Sequence, residues 1–462
     1  MNEILLFIAD FTPYVVAALL CGLTAAVASP WLWKHPERWL FLAIFALSVP
    51  DIGDGTGDGS MIKQVSWSTL FALGFIHVVR NARGHLTFDR KDLPLALAVL
   101  IGFTGISVLW SPYRMTSLVR LIQVIGVLFI ALMVARNALA GRGLLTQAMV
   151  PARLFLLLGF AVAVISPGTA FDAEGCMNGI ASHKNTWGQF SLLTGLIHLS
   201  ALSERRNARQ TLLIVAMLGL SAISIVLSRS TTSLLCFLFI TGTLMLWAIL
   251  TRGGIAGKLL IAGLVATLLV ALHVYFVAYG ELPFEALRKL VYSSTGKNES
   301  LTGRDFLWYL IQQEISHHPW LGTGYGGFWT GTEGPSAALV ARLDWGPPTQ
   351  SHNGYLEVVN EIGFVGMGLL VVALIAQAAN VVRLSQRGEY QHAFFFGSVL
   401  IAMVFINYAE SSFLRTTQFW WIALCISIVE AHVSVRHARE AERLKAQAVA
   451  AQPSRQGRLS LG

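Results

Sequence analysis

Apolar residues fill this chain in long runs broken by short polar stretches, a pattern of helices that bury most of their surface. Seven such runs lie at Tyr14 to Ala28, Trp39 to Val49, Val65 to Val79, Leu95 to Trp110, Leu118 to Val134, Leu154 to Ile165 and Trp187 to Leu202. Six more follow at Leu212 to Leu227, Leu234 to Leu250, Leu259 to Tyr279, Tyr355 to Ala379, Ala393 to Ile406 and Phe419 to Val429. A helix crossing a bilayer needs ~20 mainly apolar residues, so the shorter runs must extend into their flanks. The pattern predicts an all-α polytopic membrane protein with about 12 to 13 transmembrane helices. One long hydrophilic stretch, Gly280 to Asn353, divides the amino-terminal helices (1–279) from a carboxy-terminal set (354–433). Residues 434–462 form a charged tail, read as a helix that frays. No fixed-period repeat is visible, and the two halves are not inverted copies of one another, which weakens a transporter reading.

Composition agrees with the pattern. With 55% hydrophobic and 13% charged residues and a mean hydropathy of +0.61, there is too little polar surface to cover a soluble protein of this length. The net charge of +8 is explained by topology rather than by nucleic acid, for which no motif is present. If the tail is cytoplasmic and the runs alternate, inner loops carry most of the basic residues, among them Lys34, Arg38, Arg80, Arg205, Arg206, Arg383 and Arg387. Outer loops then carry only Lys63, Arg114, Lys184, Arg229 and Arg415, with Arg120 just inside a run. That asymmetry is the positive-inside bias, and it places the long loop outside, in the periplasm of a Gram-negative cell. The first run follows acidic Glu3 and Asp10 without a convincing cleavage site, so it is expected to be kept rather than removed. Cys21, Cys176, Cys236 and Cys425 match no metal spacing. The loop from Asp51 to Gly59 lacks the ligand alternation and closing Glu of a calcium loop and reads as a solvated turn.

Few cations face outward, so each can be weighed. Arg229 sits in the polar hinge Leu227-Ser228-Arg229-Ser230-Thr231, where it either snorkels to the interface or holds an anion beside a helix amino terminus. Arg304 follows Thr302-Gly303 and opens an amphipathic segment, Asp305-Phe306-Leu307-Trp308; taken alone it reads as a solvated loop arginine rather than a site residue. Lys184, in His183-Lys184-Asn185, stands at the outer end of a run, where positive charge is disfavoured. His352 lies where the long loop enters an apolar segment, a place for a polar anchor or for a general base, since a neutral imidazole is available near pH 7.

Three elements in order, Gly303-Arg304 to Trp308, His318-Pro319 to Gly326, and Ser351-His352-Asn353 to Gly366, resemble the signature region of the O-antigen ligase and polysaccharide polymerase superfamily. His183-Lys184-Asn185 with Gly188, and Glu410-Ser411, are similar to its exopolysaccharide-polymerase branch. The resemblance implies inverting transfer of a glycan from an undecaprenyl pyrophosphate carrier to a glycan or lipid A core acceptor, in the inner membrane and without a metal or other cofactor. It implies His352 as catalytic base and Arg229 and Arg304 as pyrophosphate contacts. Lys184, which departs from a guanidinium, would be a further contact, with Asn185, Asn353 and Glu410 in second rank. A flippase and a chain-length regulator are the partners such a polymerase would have. A lipid-linked-glycan transporter would instead place ionisable residues at the bilayer midplane, and a scaffold would leave His352 dispensable.

Overall fold

A computed structural model of the chain describes residues 41, 44, 45, 67, 70, 89–141, 143–204, 207–252, 304–332, 334–343 and 347–451. The runs expected at Tyr14 to Ala28, Trp39 to Val49, Val65 to Val79 and Leu259 to Tyr279 lie wholly or mostly outside these residues, as do the Asp51 to Gly59 loop and Cys21. Ten helices of more than one turn are described: α1 (Leu95–Ser107), α2 (Arg114–Ala138), α3 (Leu144–Ile165), α4 (Lys184–Ala201), α5 (Ala208–Leu227), α6 (Thr231–Arg252), α7 (Arg304–His317), α8 (Gly354–Gln386), α9 (Tyr390–Ala409) and α10 (Phe419–Ala451). No strand occurs among the described residues, only an isolated bridge between Phe171 and Met177. The protein is an all-α polytopic membrane protein, and α2, α3, α5, α8, α9 and α10 are each long and apolar enough to cross a bilayer.

One expectation changes in detail. The run from Trp187 to Leu202 becomes α4, which is too polar to qualify as a span by composition. Its Gln189, Ser191, Thr194, His198 and Ser200 are nevertheless buried, because the bundle supplies partners: Ser191 bonds Ser224 of α5 at 2.8 Å, and Arg153 of α3 donates to His198 at 2.8 Å. Beyond the apolar run the tail is helical, as read from the sequence, with α10 continuing as one helix to Ala451. Arg436 there pairs with Asp89 and Asp92, and Arg387 with Glu442.

The core forms around α10, whose Trp420, Trp421, Leu424, Ile426, Val429 and Val433 are fully buried and which packs on α2, α8 and α9. Helix ends are set locally. Asn353 caps α8 by accepting from the amides of Tyr355 and Leu356 at 3.0 and 3.1 Å, as N-cap side chains do. The start of α3 has no cap of its own; Glu430 of α10 accepts from the Leu144 amide at 2.8 Å instead.

The feature that shapes the rest is a break in α8. Gly363 has φ 68° and ψ −176°, a region open essentially to glycine alone. The two helical bonds that would join Phe364 to Asn360 and Val365 to Glu361 are replaced by bonds to the turn after α7. Phe364 and Val365 donate to the carbonyls of Pro319 and Trp320 at 2.8 and 3.2 Å, while Thr323 and Gly324 donate to those of Asn360 and Glu361, both at 2.9 Å. A segment is thus inserted into the helix with all four groups satisfied, each of which would cost ~1–3 kcal/mol if buried alone. A Cβ at Gly363 would strike the Trp320 carbonyl. The half-helix ahead of the break packs with α7 in a small core of Leu307, Leu310, Ile311, Ile315, Phe328, Trp329, Leu339 and Val359.

Gly363→Ala is expected to cost about 3 kcal/mol, combining backbone strain with the clash. Gly141→Ala, also at positive φ but with open space around its Cβ, is expected to cost roughly 1 kcal/mol. Melting temperatures of the two purified variants in detergent check the difference.

Candidate functional site

Four helices begin at one end of the described bundle, and the residues singled out in the sequence lie at those beginnings. Lys184 and Asn185 open α4, Arg304 opens α7, Gly354 opens α8 just after His352, and Thr231 opens α6 just after Arg229. Helix amino termini carry partial positive charge from unpaired amides, so this gathering of termini and cations calls for anions. Two glutamates answer it.

Glu410, the residue after α9, is the first. Its Oε1 accepts from Asn185 Nδ2 at 3.1 Å and faces Arg304 Nη2 at 3.4 Å. Its Oε2 lies 3.2 Å from His352 Nδ1, and its backbone carbonyl accepts from the Gly354 amide at 3.2 Å. Arg304 is tied down further by donating from Nη1 to the Ala409 carbonyl at 2.6 Å. Burial would raise the Glu410 pKa, but the hydrogen bond from His352 and the charges of His352, Arg304 and His183 outweigh it and hold the group below its ordinary value. In the neutral tautomer that donates Nδ1–H to this carboxylate, Nε2 would keep its lone pair.

Glu174 is the second. Lys184 Nζ is 2.7 Å from Glu174 Oε2 and 3.5 Å from Cys176 Sγ, and Arg229 Nη1 donates to the Glu174 carbonyl at 3.2 Å. Hydrogen bonding to Glu174 raises the Lys184 pKa, so this lysine stays charged. Asp172, Glu174 and Cys176 bring potential ligand atoms within 4.8 Å of one another. That closeness follows from a tight turn in which Asp172 Oδ1 accepts the amides of Glu174 and Cys176 at 3.0 and 2.8 Å, with the Lys184 ammonium beside it. His183 joins the two centres: its Nδ1 accepts from the Asn185 amide at 3.1 Å and caps α4, while burial lowers its pKa against the pull of Glu410. Gly188, one turn on, lets α4 approach the Arg229 hinge, since a Cβ there would lie 2.6 Å from Ser230 Cβ.

Arg229 and His352 share a backbone property. Their φ angles are 50° and 51°, the left-handed region that non-glycine residues occupy rarely and at some cost. His352 is held there by its neighbours. The Ser351 amide donates to Glu357 Oε2 at 2.8 Å, the Ser351 carbonyl accepts from Trp308 Nε1 at 2.9 Å, and Ser411 Oγ accepts from the Asn353 amide at 3.2 Å. Glu357 is gripped in turn by Arg415 and by Trp329 Nε1 at 2.8 Å.

His352, Arg304, Asn185 and Glu410 are therefore brought together, and Lys184, next to Asn185 in the chain, meets Arg229 on Glu174. Asn353 turns its side chain to its own helix as a cap, not to the cluster. Sequence reading passed over Glu174, His183 as a site residue, and the Glu357–Arg415 pair. The scarcity of outward cations could have pointed to Glu174 as a partner; the others carry no local signature.

Residues 216–371 match the family model described as O-antigen ligase, a stretch that holds Arg229, Arg304, His352 and the Gly363 break. The match supports an activity of the O-antigen ligase or polymerase type. No curated protein matches the chain significantly.

Because the folded Glu410 carboxyl is held below its ordinary value of 4.5, the stability it contributes is complete above that pH and lost as pH falls through the folded value. Glu410→Gln is expected to flatten that acid limb in a plot of melting temperature against pH. Glu357→Ala and Arg415→Ala each strand a buried charge and are expected to cost about 3 kcal/mol, with the double variant well below the sum; a double-mutant cycle by thermal unfolding checks this.

Proposed function

We propose that this chain, a member of the O-antigen ligase and polysaccharide polymerase superfamily, polymerises undecaprenyl-pyrophosphate-linked repeat units by metal-independent, inverting glycosyl transfer. The cluster faces the periplasm in this reading, the protein lies in the inner membrane, and a flippase and a chain-length regulator work beside it. The observation that supports it most is the placement of Glu410, which joins His352 to Arg304 and Asn185.

An acceptor hydroxyl attacks the anomeric carbon of the donor. As the new C–O bond forms, the bond to pyrophosphate breaks and its electron pair leaves with the carrier, inverting the configuration. His352 takes the hydroxyl proton at Nε2, while Glu410 fixes the ring through Nδ1 and stabilises the imidazolium. Such a base contributes ~10² to 10⁴-fold. Arg304, Arg229 and Lys184, with the helix amino termini beside them, neutralise the departing pyrophosphate, the role that divalent ions fill elsewhere. Two guanidiniums retain N–H groups beyond those already bonded, so phosphate oxygens can join without dismantling the carboxylate contacts. The strained backbone at His352 fits this reading, because strain persists where the surrounding structure holds a group for chemistry.

The description of the matched family favours a second reading, transfer of the glycan to lipid A core. Donor and base are the same and the acceptor differs.

Purified protein given a lipid-linked repeat is expected to lengthen the glycan, with the rate unchanged by a chelator. His352→Asn is expected to slow transfer at least ~10²-fold in a protein that still folds, since Asn tolerates the left-handed backbone. Wild-type rates from a folded His352→Asn protein would sink the base assignment. Product formed only when lipid A core is added identifies a ligase.

A further inference from the structure

Helix α7 uses one face for packing and leaves the other organised. Leu307, Leu310, Ile311 and Ile315 are buried at the spacing of an amphipathic helix. On the opposite side Phe306 and Tyr309 are 45% and 52% exposed, with ring centroids 6.5 Å apart and planes 20° from parallel. Three polar contacts hold them in place. Gln313 Nε2 donates to the Tyr309 hydroxyl oxygen at 2.7 Å, Arg342 Nη1 donates to Gln313 Oε1 at 3.0 Å, and the Arg342 guanidinium sits 5.9 Å from the Phe306 ring centre.

Among the described residues the apolar core uses the other face of α7, and the chemistry of this one differs from a lipid-facing surface. Asp305, Gln312, Gln313 and Ser316 are exposed around the two rings, and in hydrocarbon their polar groups would be costly. Flat rings bordered by amide and guanidinium donors suit a sugar, which offers C–H faces to aromatics and hydroxyls to polar side chains. The helix also starts at Arg304, bonded to Glu410, and Phe306 and Tyr309 follow within about 8 Å along its axis.

We propose that the exposed face of α7, formed by Phe306, Tyr309, Gln313 and Arg342, is a glycan subsite that holds the saccharide chain next to the transfer centre. The inference rests on the glycan-transfer reading above and adds where the chain lies.

The test is binding, kept separate from transfer. Full-length protein in nanodiscs is titrated with the host's polysaccharide, released from its carrier by mild acid, and binding is followed by thermophoresis. Phe306→Leu/Tyr309→Leu keeps apolar surface but removes the flat rings, and is expected to weaken binding at least about fivefold. Arg342→Ala, in a loop and outside the packed face, is expected to weaken it about threefold and serves if the double variant folds poorly. Both the double Leu variant and Arg342→Ala binding like wild type, or wild type failing to bind, would overturn the subsite. Transfer is measured on the same preparation: wild type that binds glycan yet transfers none supports the subsite while sinking the transferase reading.

Discussion

One carboxylate, that of Glu410, permits three helix amino termini and their cations to meet. Asn185, Arg304 and Gly354 stand at the starts of α4, α7 and α8, and each bonds to Glu410 through its side chain or carbonyl. Without an anion between them, the partial charges of those termini and the Arg304 guanidinium would repel one another in partly buried surroundings. Glu410 settles that conflict and, through its second oxygen, orients His352. Glu174 repeats the arrangement for Lys184 and Arg229. Positive potential held open by carboxylates is suited to receiving phosphate, which brings more charge and more acceptor oxygens than a glutamate.

The break at Gly363 makes this end of the molecule possible. A continuous α8 would run from His352 as one rod, with no entry for the segment after α7. By opening two backbone bonds and closing all four groups on that segment, the chain fastens α7 to the first half of α8 through main-chain geometry as well as through the small apolar core around Phe328 and Trp329. Arg304 at the head of α7 and His352 ahead of α8 are thereby held by one rigid assembly. Backbone groups inside an apolar bundle tolerate such a break only where protein replaces the lost partners.

Backbone strain at His352 and Arg229 belongs to the same design. Left-handed φ costs an ordinary residue ~1 kcal/mol or more, so neighbours must over-determine it. Around His352 the Ser351 and Asn353 backbones are held by Glu357, Trp308 and Ser411, and the Glu357–Arg415 pair anchors that set. The buried Ser351, Asn353, Glu357 and Ser411 thus act together on the position of one ring.

The sequence by itself determined the all-helical membrane architecture, because apolar runs of sufficient length leave no other way to satisfy their backbones. It also placed Arg304, His352 and Asn353 at helix starts, since polar loop residues followed by apolar periodicity mark those starts locally, and Asn353 is the cap such a start calls for. Glu410 was visible only through a short motif of the family resemblance, which put it in second rank beside Asn185 and Asn353. Its central role depends on contacts between residues 58 to 225 positions apart, which no local pattern encodes. The same holds for the split helix. His318 to Gly326 and Gly363 lie in two separate elements of the sequence, and only tertiary structure inserts the one into the helix at the other. Positive φ at His352 and Arg229 was equally out of reach, because ordinary residues adopt it only when distant contacts impose it.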